Sequence, residues 1–436
     1  MTRKWAIFWV LAIAYFFVMF HRFCTAVMAG DLTADLGLEP AALGFLSSMY
    51  LLGYATVQIP VGILSDRWGA RKTISLFLLL ASLGAFAFGK AASFETAVLS
   101  RWLVGAGVGC VYVPALRLMG CWFGGESFVF MTGMMLAVGN LGALSSTWPL
   151  AVIKSVWGWR ATMELVSVIT LLLVIFVWLV VKDQPPESER PKESGPEAGS
   201  AKHHDSDETV EPGERSGLRG MLKSKRFWAV TLYFFAFETT IISFQGLWAG
   251  PFLKRIYQMP DTSVGYALTW LALGLMLGAI VSGILAGKSV QRRHTVLTAG
   301  MFGYLLCWVP LVFATSTMQS YLIPLLAVMG FCAGFFSISF GIARECFPAS
   351  MAGTALGVYN FTGFVGGGLG MWVMGLIIGW VSPDGTRETA AFQAAFGLAI
   401  VLMLIGWLML VLLPHTWTNR ARIQREKQAA ENLNNS

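Results

Sequence analysis

Charged side chains are scarce in this sequence. Only 13% of the 436 residues are Asp, Glu, Lys or Arg, against about 25% in an average soluble protein. Ten of the 24 acidic residues lie between Asp183 and Glu214, which leaves fourteen for the rest of the chain. Hydrophobic residues make up 56% of the chain and the mean hydropathy is +0.64. This composition excludes a soluble enzyme and a disordered or fibrous chain, and it indicates a polytopic membrane protein.

The residues that hold metals and nucleotides are also few or wrongly spaced. The five His contain no HxxxH pair and the six Cys contain no CxxC pair, so we expect no metal site and interpret the Cys as buried free thiols. The nearest approach to an ATP-binding phosphate loop ends in Gly287-Lys288-Ser289, but Ser282 stands where the first Gly is required. We expect neither an enzyme nor a cofactor.

The net charge of +7 is better explained by membrane topology than by nucleic-acid binding, because the basic residues form no common face beside stacking aromatics. Lys and Arg are enriched in the cytoplasmic loops of membrane proteins. With the amino terminus inside, thirteen basic residues fall in short inside segments and six in outside loops or their edges. The count predicts a multi-pass protein of the bacterial inner (plasma) membrane with both termini cytoplasmic.

Twelve apolar segments are long enough to cross a bilayer, which takes about 20 residues per helix. They are 5–29, 41–64, 72–90, 94–118, 127–153, 159–181, 227–250, 263–287, 294–314, 320–343, 351–380 and 390–413. The polar stretch 183–225 carries five Pro and ten acids and is interpreted as a disordered cytoplasmic linker. The prediction is an all-α membrane protein with two six-helix bundles, 1–182 and 226–414, and a cytoplasmic tail, 415–436.

The two predicted bundles contain a sequence repeat. Residues 62–72 align with 283–293, and both copies begin Gly-Ile-Leu and end in a basic pair. Residues 131–140 align with 351–360 at nearly the same offset, with five of ten residues identical. Parallel six-helix repeats of this kind place a substrate site between the halves near the membrane midplane.

The segment that runs from Gly62 through Asp66, Arg67 and Gly69 to Arg71-Lys72 resembles the signature loop of the major facilitator superfamily. That loop joins helices 2 and 3 and reads roughly Gly-x-Leu-x-Asp-Arg-x-Gly-x-Arg-Lys/Arg. The resemblance implies a twelve-helix transporter in which Asp66 and Arg67 bridge cytoplasmic helix ends in one conformation and release them in another. The glycines would permit close approach and a tight turn. The alternative is a basic inside loop that only fixes topology.

Other segments are assigned to the same predicted gate. Arg101-x-x-x-Gly105-x-Gly107 resembles a second motif of the family, with Val104 in place of the family's Gln. Arg344-Glu345, at the end of the tenth span, are predicted gate residues as well. In the second copy of the signature loop, Gly287-Lys288 replaces Asp66-Arg67, which predicts an asymmetric gate.

Arg22 is a charged residue inside the first span. Together with Tyr15 and His21 it resembles the first helix of family branches that transport organic anions and sugar phosphates. An arginine at this depth is costly unless it faces a cavity or a partner, and its guanidinium can bind a carboxylate through two parallel hydrogen bonds. The alternatives are a side chain that reaches toward the outer surface, or a structural pair with Asp31 or Asp35.

Glu238 lies near the middle of the seventh span, whereas Glu95 and Glu164 lie at outer span ends. In the family that it resembles, the seventh helix lines the central cavity. A carboxylate at such a place can accept and release a proton as its access to water alternates. The alternatives are a permanent ion pair with Arg22, or substrate contact without proton exchange.

Further substrate-binding candidates are polar or aromatic residues of the predicted cavity helices: Tyr54, Gln58, Tyr112, Asn140, Gln245 and Asn360. Each has the alternative of simple packing or interfacial anchoring. The sequence therefore predicts a monomeric secondary transporter that works by alternating access, with a small organic anion and protons as its partners and the lipid bilayer around it. The alternatives are a facilitator or exporter of a neutral or amphipathic compound, or a transporter-fold sensor.

Overall fold

The computed structural model describes residues 3–123, 125–185, 224–287, 290–313, 319–344, 346 and 352–412. Within these residues the regular structure is helical throughout, without strands. Eleven helices of the described chain are long and apolar enough to cross a membrane, and a shorter apolar helix covers Phe130–Ser145. The predicted all-α membrane fold is confirmed.

The spans are numbered here in chain order with their observed bounds. Spans 1 to 6 are Arg3–Leu36, Pro40–Trp68, Ala70–Gly89, Phe94–Val108 continued by Tyr112–Trp122, Gly125–Ser145, and Trp148–Val180. Span 7 is Lys225–Ser243 with Phe244–Trp248 and Ala249–Ile256, and spans 8 and 9 are Asp261–Ala286 and Val290–Phe313. Span 10 is Gln319–Tyr321 with Leu322–Gly334 and Ser337–Arg344, and spans 11 and 12 are Ala352–Val381 and Glu388–Leu412.

Span 5 is shorter than predicted. The helix ends at Ser145, and residues 148–153, which were expected to complete it, begin the next helix. Pro149 fits the first turn of that helix, where its missing N–H is not needed. The predicted break before span 6 is a kink at Gly158, whose φ of 74° is accessible to glycine at little cost. Hydropathy does not detect the true break because residues 146–153 are mostly apolar.

Span 7 contains a π-helical turn over Phe244–Trp248, in which the Ala249 N–H donates to the carbonyl of Phe244. Pro251 explains the wider turn, because proline lacks the N–H that an α-helix would direct to Leu247 and its ring crowds that carbonyl. All five residues of the turn are buried. Such turns occur frequently at functional sites.

The chain forms two compact units. The first comprises 1–23, 49–146 and 153–223, and the second comprises 24–48, 147–152 and 224–436. The second unit thus holds the C-terminal helices together with the end of span 1 and the beginnings of spans 2 and 6. Most of the predicted linker, 186–223, and the whole predicted tail, 415–436, lie outside the described residues.

All six cysteines are free thiols. Cys24, Cys110 and Cys307 are buried as predicted. The prediction of burial is wrong for Cys121, which is exposed at the end of span 4, while the other two are partly exposed.

Candidate functional site

Arg22 lies in the first unit against aromatic rings. Its Cζ is 5.6 Å from the centroid of the Tyr54 ring, within the range of a cation–π interaction. The Tyr54 hydroxyl is hydrogen-bonded to the side chain of Gln58, one turn further along span 2. Arg22 and Gln58 are partly exposed, whereas Tyr54 is buried. The structure therefore brings three of the predicted binding residues together.

Four tyrosines from spans 1, 2 and 4 lie together, two of them, Tyr15 and Tyr54, in interaction with Arg22. We call Tyr15, Tyr50, Tyr54 and Tyr112 the tyrosine cluster. The rings of Tyr15 and Tyr112 are 5.1 Å apart, and those of Tyr50 and Tyr54 are 6.5 Å apart. Tyr15 interacts electrostatically with Arg22 and with the other three tyrosines. Tyr112, the predicted residue of span 4, is partly exposed at the edge of the cluster.

Arg101 lies behind the cluster and is only 1% exposed. Its Cζ lies 5.2 Å from the Tyr50 ring centroid and 5.6 Å from that of Phe88. Its Nη2 donates to the backbone oxygen of His21, 3.2 Å away. Arg101, which the sequence assigns to the gate, is thus placed beside the residue that precedes Arg22. Gly105 of the same motif packs on the backbone of Tyr50 so closely that a Cβ would collide with its carbonyl oxygen.

Asn140 lies on span 5 next to the tyrosine cluster. A Cβ on the preceding residue, Gly139, would lie 2.5 Å from the Tyr15 ring, and one on Gly142 would collide with the carbonyl of Phe16. The face of span 5 that carries these glycines therefore packs on span 1. Asn140 itself is partly exposed.

In the second unit, Glu238 is partly buried on span 7 among aromatic side chains. Its Cγ lies 3.0 Å from where a Cβ on Gly363 of span 11 would stand. Tyr233, Tyr304 and Tyr359 each interact electrostatically with Glu238. These tyrosines come from spans 7, 9 and 11, so three helices contribute to the surroundings of this carboxylate.

Gln245 and Asn360, the other predicted binding residues of the second unit, differ in their exposure and in their neighbours. Gln245 is 4% exposed and belongs to the π-helical turn. Asn360 is partly exposed and follows Tyr359, whose hydroxyl donates to the Ser339 hydroxyl at 2.6 Å. The Tyr359 ring stacks on Phe234 at 4.1 Å, one turn before Glu238.

At the predicted gate, Gly69 makes the turn between spans 2 and 3 with a φ of 87°. Its position is held by Asp183, whose Oδ1 accepts from the Arg71 N–H at 2.9 Å. Asp183 was assigned to the linker, but it caps span 3, because a carboxylate is favoured at a helix N-terminus. Arg71 also stacks on Trp178, with 4.5 Å from Cζ to the ring centroid.

The remaining gate residues are less constrained. No atom of the described chain lies within 4 Å of a Cβ placed on Gly62, so no close approach exists at this glycine in the described conformation. Arg67 is exposed. The side chains of Asp66 and Arg344 and the whole of Glu345 lie outside the described residues.

A set of close backbone contacts, which the sequence did not single out, lies at the helix ends opposite the predicted gate. We call Gly44, Gly250 and Gly375 the glycine contacts. A Cβ on each would collide with a carbonyl oxygen of another span, those of Met371, Ala26 and Pro40 respectively. The Trp248 indole N–H donates to the Met371 carbonyl at 2.9 Å beside them. These contacts, all within the second unit, fasten the end of span 1 and the beginning of span 2 to spans 7 and 11.

A family model described as Major Facilitator Superfamily matches residues 11–252 and again residues 239–434. The chain belongs to the major facilitator superfamily. It is a transporter-family protein over nearly its whole length, and the two matches fall on the two halves in which the sequence repeat was found.

Several transporters of this superfamily are similar to the chain. The hexuronate transporter of Bacillus subtilis is 25% identical over 390 residues, which cover 87% of this chain and 88% of that protein. The gentisate transporter of Corynebacterium glutamicum is 26% identical over 420 residues, which cover 90% of this chain and 87% of that protein. A bacterial homologue of the human lysosomal transporter Spinster, in an inward-facing and occupied conformation, superposes with a TM-score of 0.74 at 16% identity, over 96% of this chain and 98% of that one.

Proposed function

We propose that this carrier transports a small organic anion by alternating access, coupled to protons. The observation that carries the proposal is the placement of Arg22, a charged side chain in the middle of a membrane helix, against the Tyr54 ring and beside partly exposed polar side chains. Charged residues inside membrane spans usually mark substrate or ion pathways. The substrates that name the two similar transporters, hexuronate and gentisate, are both organic acids.

In this mechanism Arg22 holds the anionic group and Glu238 carries the proton. A guanidinium binds a carboxylate with two parallel hydrogen bonds, and the cation–π contact with Tyr54 would help to hold the guanidinium in place. Glu238 stands among buried aromatic rings on span 7, where a carboxylate can exchange its proton as water access changes. Gln58, Tyr112 and Asn140 would contact the uncharged part of the substrate on the first unit, and Gln245 and Asn360 stay candidate substrate contacts of the second unit.

Two sets of contacts would alternate as gates. The glycine contacts would close the predicted outer side and would separate when the substrate enters from there. The loop around Asp66, with Gly69 and Arg71 held by Asp183, would latch the predicted cytoplasmic side. We propose that the two bundles 1–182 and 226–414 move as the rigid parts, with 183–225 as their tether and both termini in the cytoplasm of a bacterial inner membrane.

The experiment that tests this function is uptake by purified protein in proteoliposomes, with sugar acids, aliphatic carboxylates and aromatic carboxylates offered one at a time under an inward proton gradient. We expect accumulation of at least one anion, abolished by a protonophore. Arg22→Lys keeps the charge but loses the planar fork, so affinity should fall about tenfold or more, which corresponds to a charged hydrogen bond of about 1.5–3 kcal/mol.

The matched control is Arg160→Lys, because Arg160 also lies over a ring, with Cζ 4.4 Å from the Trp159 centroid, but belongs to span 6, just after its kink at Gly158. Its uptake should equal that of the wild type. Undiminished affinity in Arg22→Ala would refute the anion site.

A further inference from the structure

The tyrosine cluster beside Arg22 has three buried rings and one partly exposed ring. Tyr50, Tyr54 and Tyr15 are at most 5% exposed. Arg22 and Tyr112 are partly exposed, and so are the amide side chains of Gln58 and Asn140. The Gln58 amide is hydrogen-bonded to Tyr54, whose ring faces Arg22, and the Tyr112 ring packs on Tyr15. A ligand that reaches Arg22 therefore comes close to a partly exposed amide and to the aromatic cluster.

Aromatic surface also dominates around the second charged residue. Phe234 and Tyr359 stack at 4.1 Å with an angle of 15° between their planes, and the Phe336 and Phe340 rings lie against Phe234. Glu238 follows Phe234 by one helical turn on span 7. It approaches Gly363, which follows Tyr359 by one turn on span 11. The tyrosine cluster of the first unit and the three tyrosines that interact with Glu238 in the second unit account for seven of the ten tyrosines of the chain.

The tyrosine cluster beside Arg22 discriminates between classes of organic acid. A polyhydroxylated acid brings several hydroxyl groups, each of which must find a hydrogen-bond partner once it leaves water. An aromatic acid brings one carboxylate and a flat ring, and rings attract one another in offset-stacked or edge-to-face geometry at about 4.5–7 Å between centroids. The spacings within the tyrosine cluster, 5.1 and 6.5 Å, show that its rings already pack in this range.

We propose that the substrates of this carrier are aromatic carboxylates of benzoate type, with the carboxylate on Arg22 and the ring against Tyr112 and Tyr54. Ring hydroxyls would meet the amides of Gln58 and Asn140. This inference rests on the proposed anion transport. It restricts the substrates of that transport to anions that contain an aromatic ring.

The test is binding to the purified full-length protein, measured by calorimetry with five probes. These are benzoate, 3-hydroxybenzoate, cyclohexanecarboxylate, glucuronate and benzamide. Cyclohexanecarboxylate matches benzoate in size and charge but has no π face, and benzamide keeps the ring without the charge. We expect the two benzoates to bind about tenfold more tightly than cyclohexanecarboxylate or glucuronate, since each aromatic contact contributes a factor of about two to twelve. Benzamide should bind at least as weakly as those two.

Variants of the cluster locate the preference. Tyr54→Leu should reduce the ratio of benzoate to cyclohexanecarboxylate affinity to about one, whereas Tyr54→Phe keeps the ring and should keep the ratio. Tyr112→Leu, at the partly exposed rim, makes the same test with less risk to folding. Tyr266→Leu is the matched control, because Tyr266 is an exposed ring on span 8.

The outcomes separate this inference from the proposed function. Tight glucuronate binding that Arg22→Ala abolishes would overturn the aromatic class while leaving the anion carrier intact. Equal affinity for benzoate and cyclohexanecarboxylate would overturn it as well. Failure of all four carboxylates to bind would instead count against the anion site itself.

Discussion

Arg101 donates a hydrogen bond from Nη2 to the backbone carbonyl of His21, at 3.2 Å, and so holds span 1 at the residue that precedes Arg22. Arg101 is almost fully buried, and its guanidinium lies within cation–π range of both the Tyr50 and the Phe88 rings. Burying a charged group is costly unless it is well satisfied, so this arginine has a defined position. Its contacts make it a positioning residue for the proposed anion site.

Arg101→Lys tests this positioning role. Lysine lacks the planar guanidinium that contacts both rings while it donates to the His21 carbonyl, so we expect this hydrogen bond to be lost and Arg22 to be less well placed. We expect the dissociation constant for the transported anion to rise about tenfold, a change of about 1.4 kcal/mol. The measurement is calorimetric titration with wild-type, Arg101→Lys and Arg160→Lys proteins, all shown by size exclusion to be folded. Wild-type affinity in folded Arg101→Lys would show that Arg101 does not act on the site.

Glu238→Gln tests the proton carrier. Glutamine imitates the protonated carboxylate, so substrate binding should become independent of pH. Counterflow exchange across proteoliposomes should continue, while accumulation driven by a proton gradient should fall to the level of empty liposomes. Gradient-driven accumulation that persists in this variant would assign the proton to another group.

Gly363→Ala tests whether the contact between Glu238 and span 11 matters for proton coupling. The new Cβ would stand 3.0 Å from Glu238 Cγ and would collide with the Phe234 ring, so the carboxylate must shift. We expect gradient-driven accumulation to decrease several-fold while the affinity for the anion changes less than twofold. Gly357→Ala is the control on the same span, because no described atom lies within 4 Å of its Cβ position. Equal accumulation by both variants would argue against a coupling role for the contact of spans 7 and 11.

Gly250→Ala tests the glycine contacts. The added methyl group would collide with the carbonyl oxygen of Ala26, and such overpacking costs about 1–3 kcal/mol. If the contact exists in one conformation only, that cost shifts the conformational equilibrium by about tenfold or more away from it. Hydrogen exchange of 24–36 should become faster and transport slower. Gly379→Ala, whose Cβ position is also open, should match the wild type in both measurements.

Asp66→Asn tests the predicted latch. Removal of this charge should leave folding intact and slow exchange, because under the latch hypothesis the helix ends on the predicted cytoplasmic side would lose an ionic contact in one conformation. The control is Asp384→Asn in the opposite loop, where hydrogen bonds from the Thr386 hydroxyl and N–H lower the pKa of Asp384 and keep it charged at neutral pH. Wild-type exchange rates in correctly inserted Asp66→Asn would refute the latch.

The membrane fold was predictable because a helix that crosses a bilayer needs a long run of apolar residues, and such runs are visible in the sequence itself. The end of span 5 was missed because hydropathy is blind to a break inside an apolar run, although Pro149 marked it. Arg22 and Glu238 could be chosen as candidates because each is a charge in an otherwise apolar segment. The contact of Tyr15 with Tyr112 could not, since it depends on how spans 1 and 4 pack.

Asp183 and the glycine contacts are two further features that could not be predicted from the sequence. Asp183 stands at the start of a polar stretch, so composition assigns it to the linker, and only tertiary structure reveals the helix end that it caps. Gly44, Gly250 and Gly375 are three among 47 glycines. Helix packing explains glycines in general, but which of them touch another backbone is decided by helix positions that sequence spacing does not contain.

The π-helical turn of span 7 has a geometrical consequence for the two parts of that span. A turn closed by a hydrogen bond over five residues holds one residue more than the α-helix around it, and each residue corresponds to about 100° of rotation about the helix axis. Ala249–Ile256, which carries Gly250, is therefore rotated against Lys225–Ser243, which carries Glu238, relative to an uninterrupted helix. If these five residues changed to α-helical geometry, one part of span 7 would rotate about the helix axis relative to the other. The same rotation would change the direction of Glu238 relative to Gly250, so the surroundings of the carboxylate and the contact with Ala26 would change together.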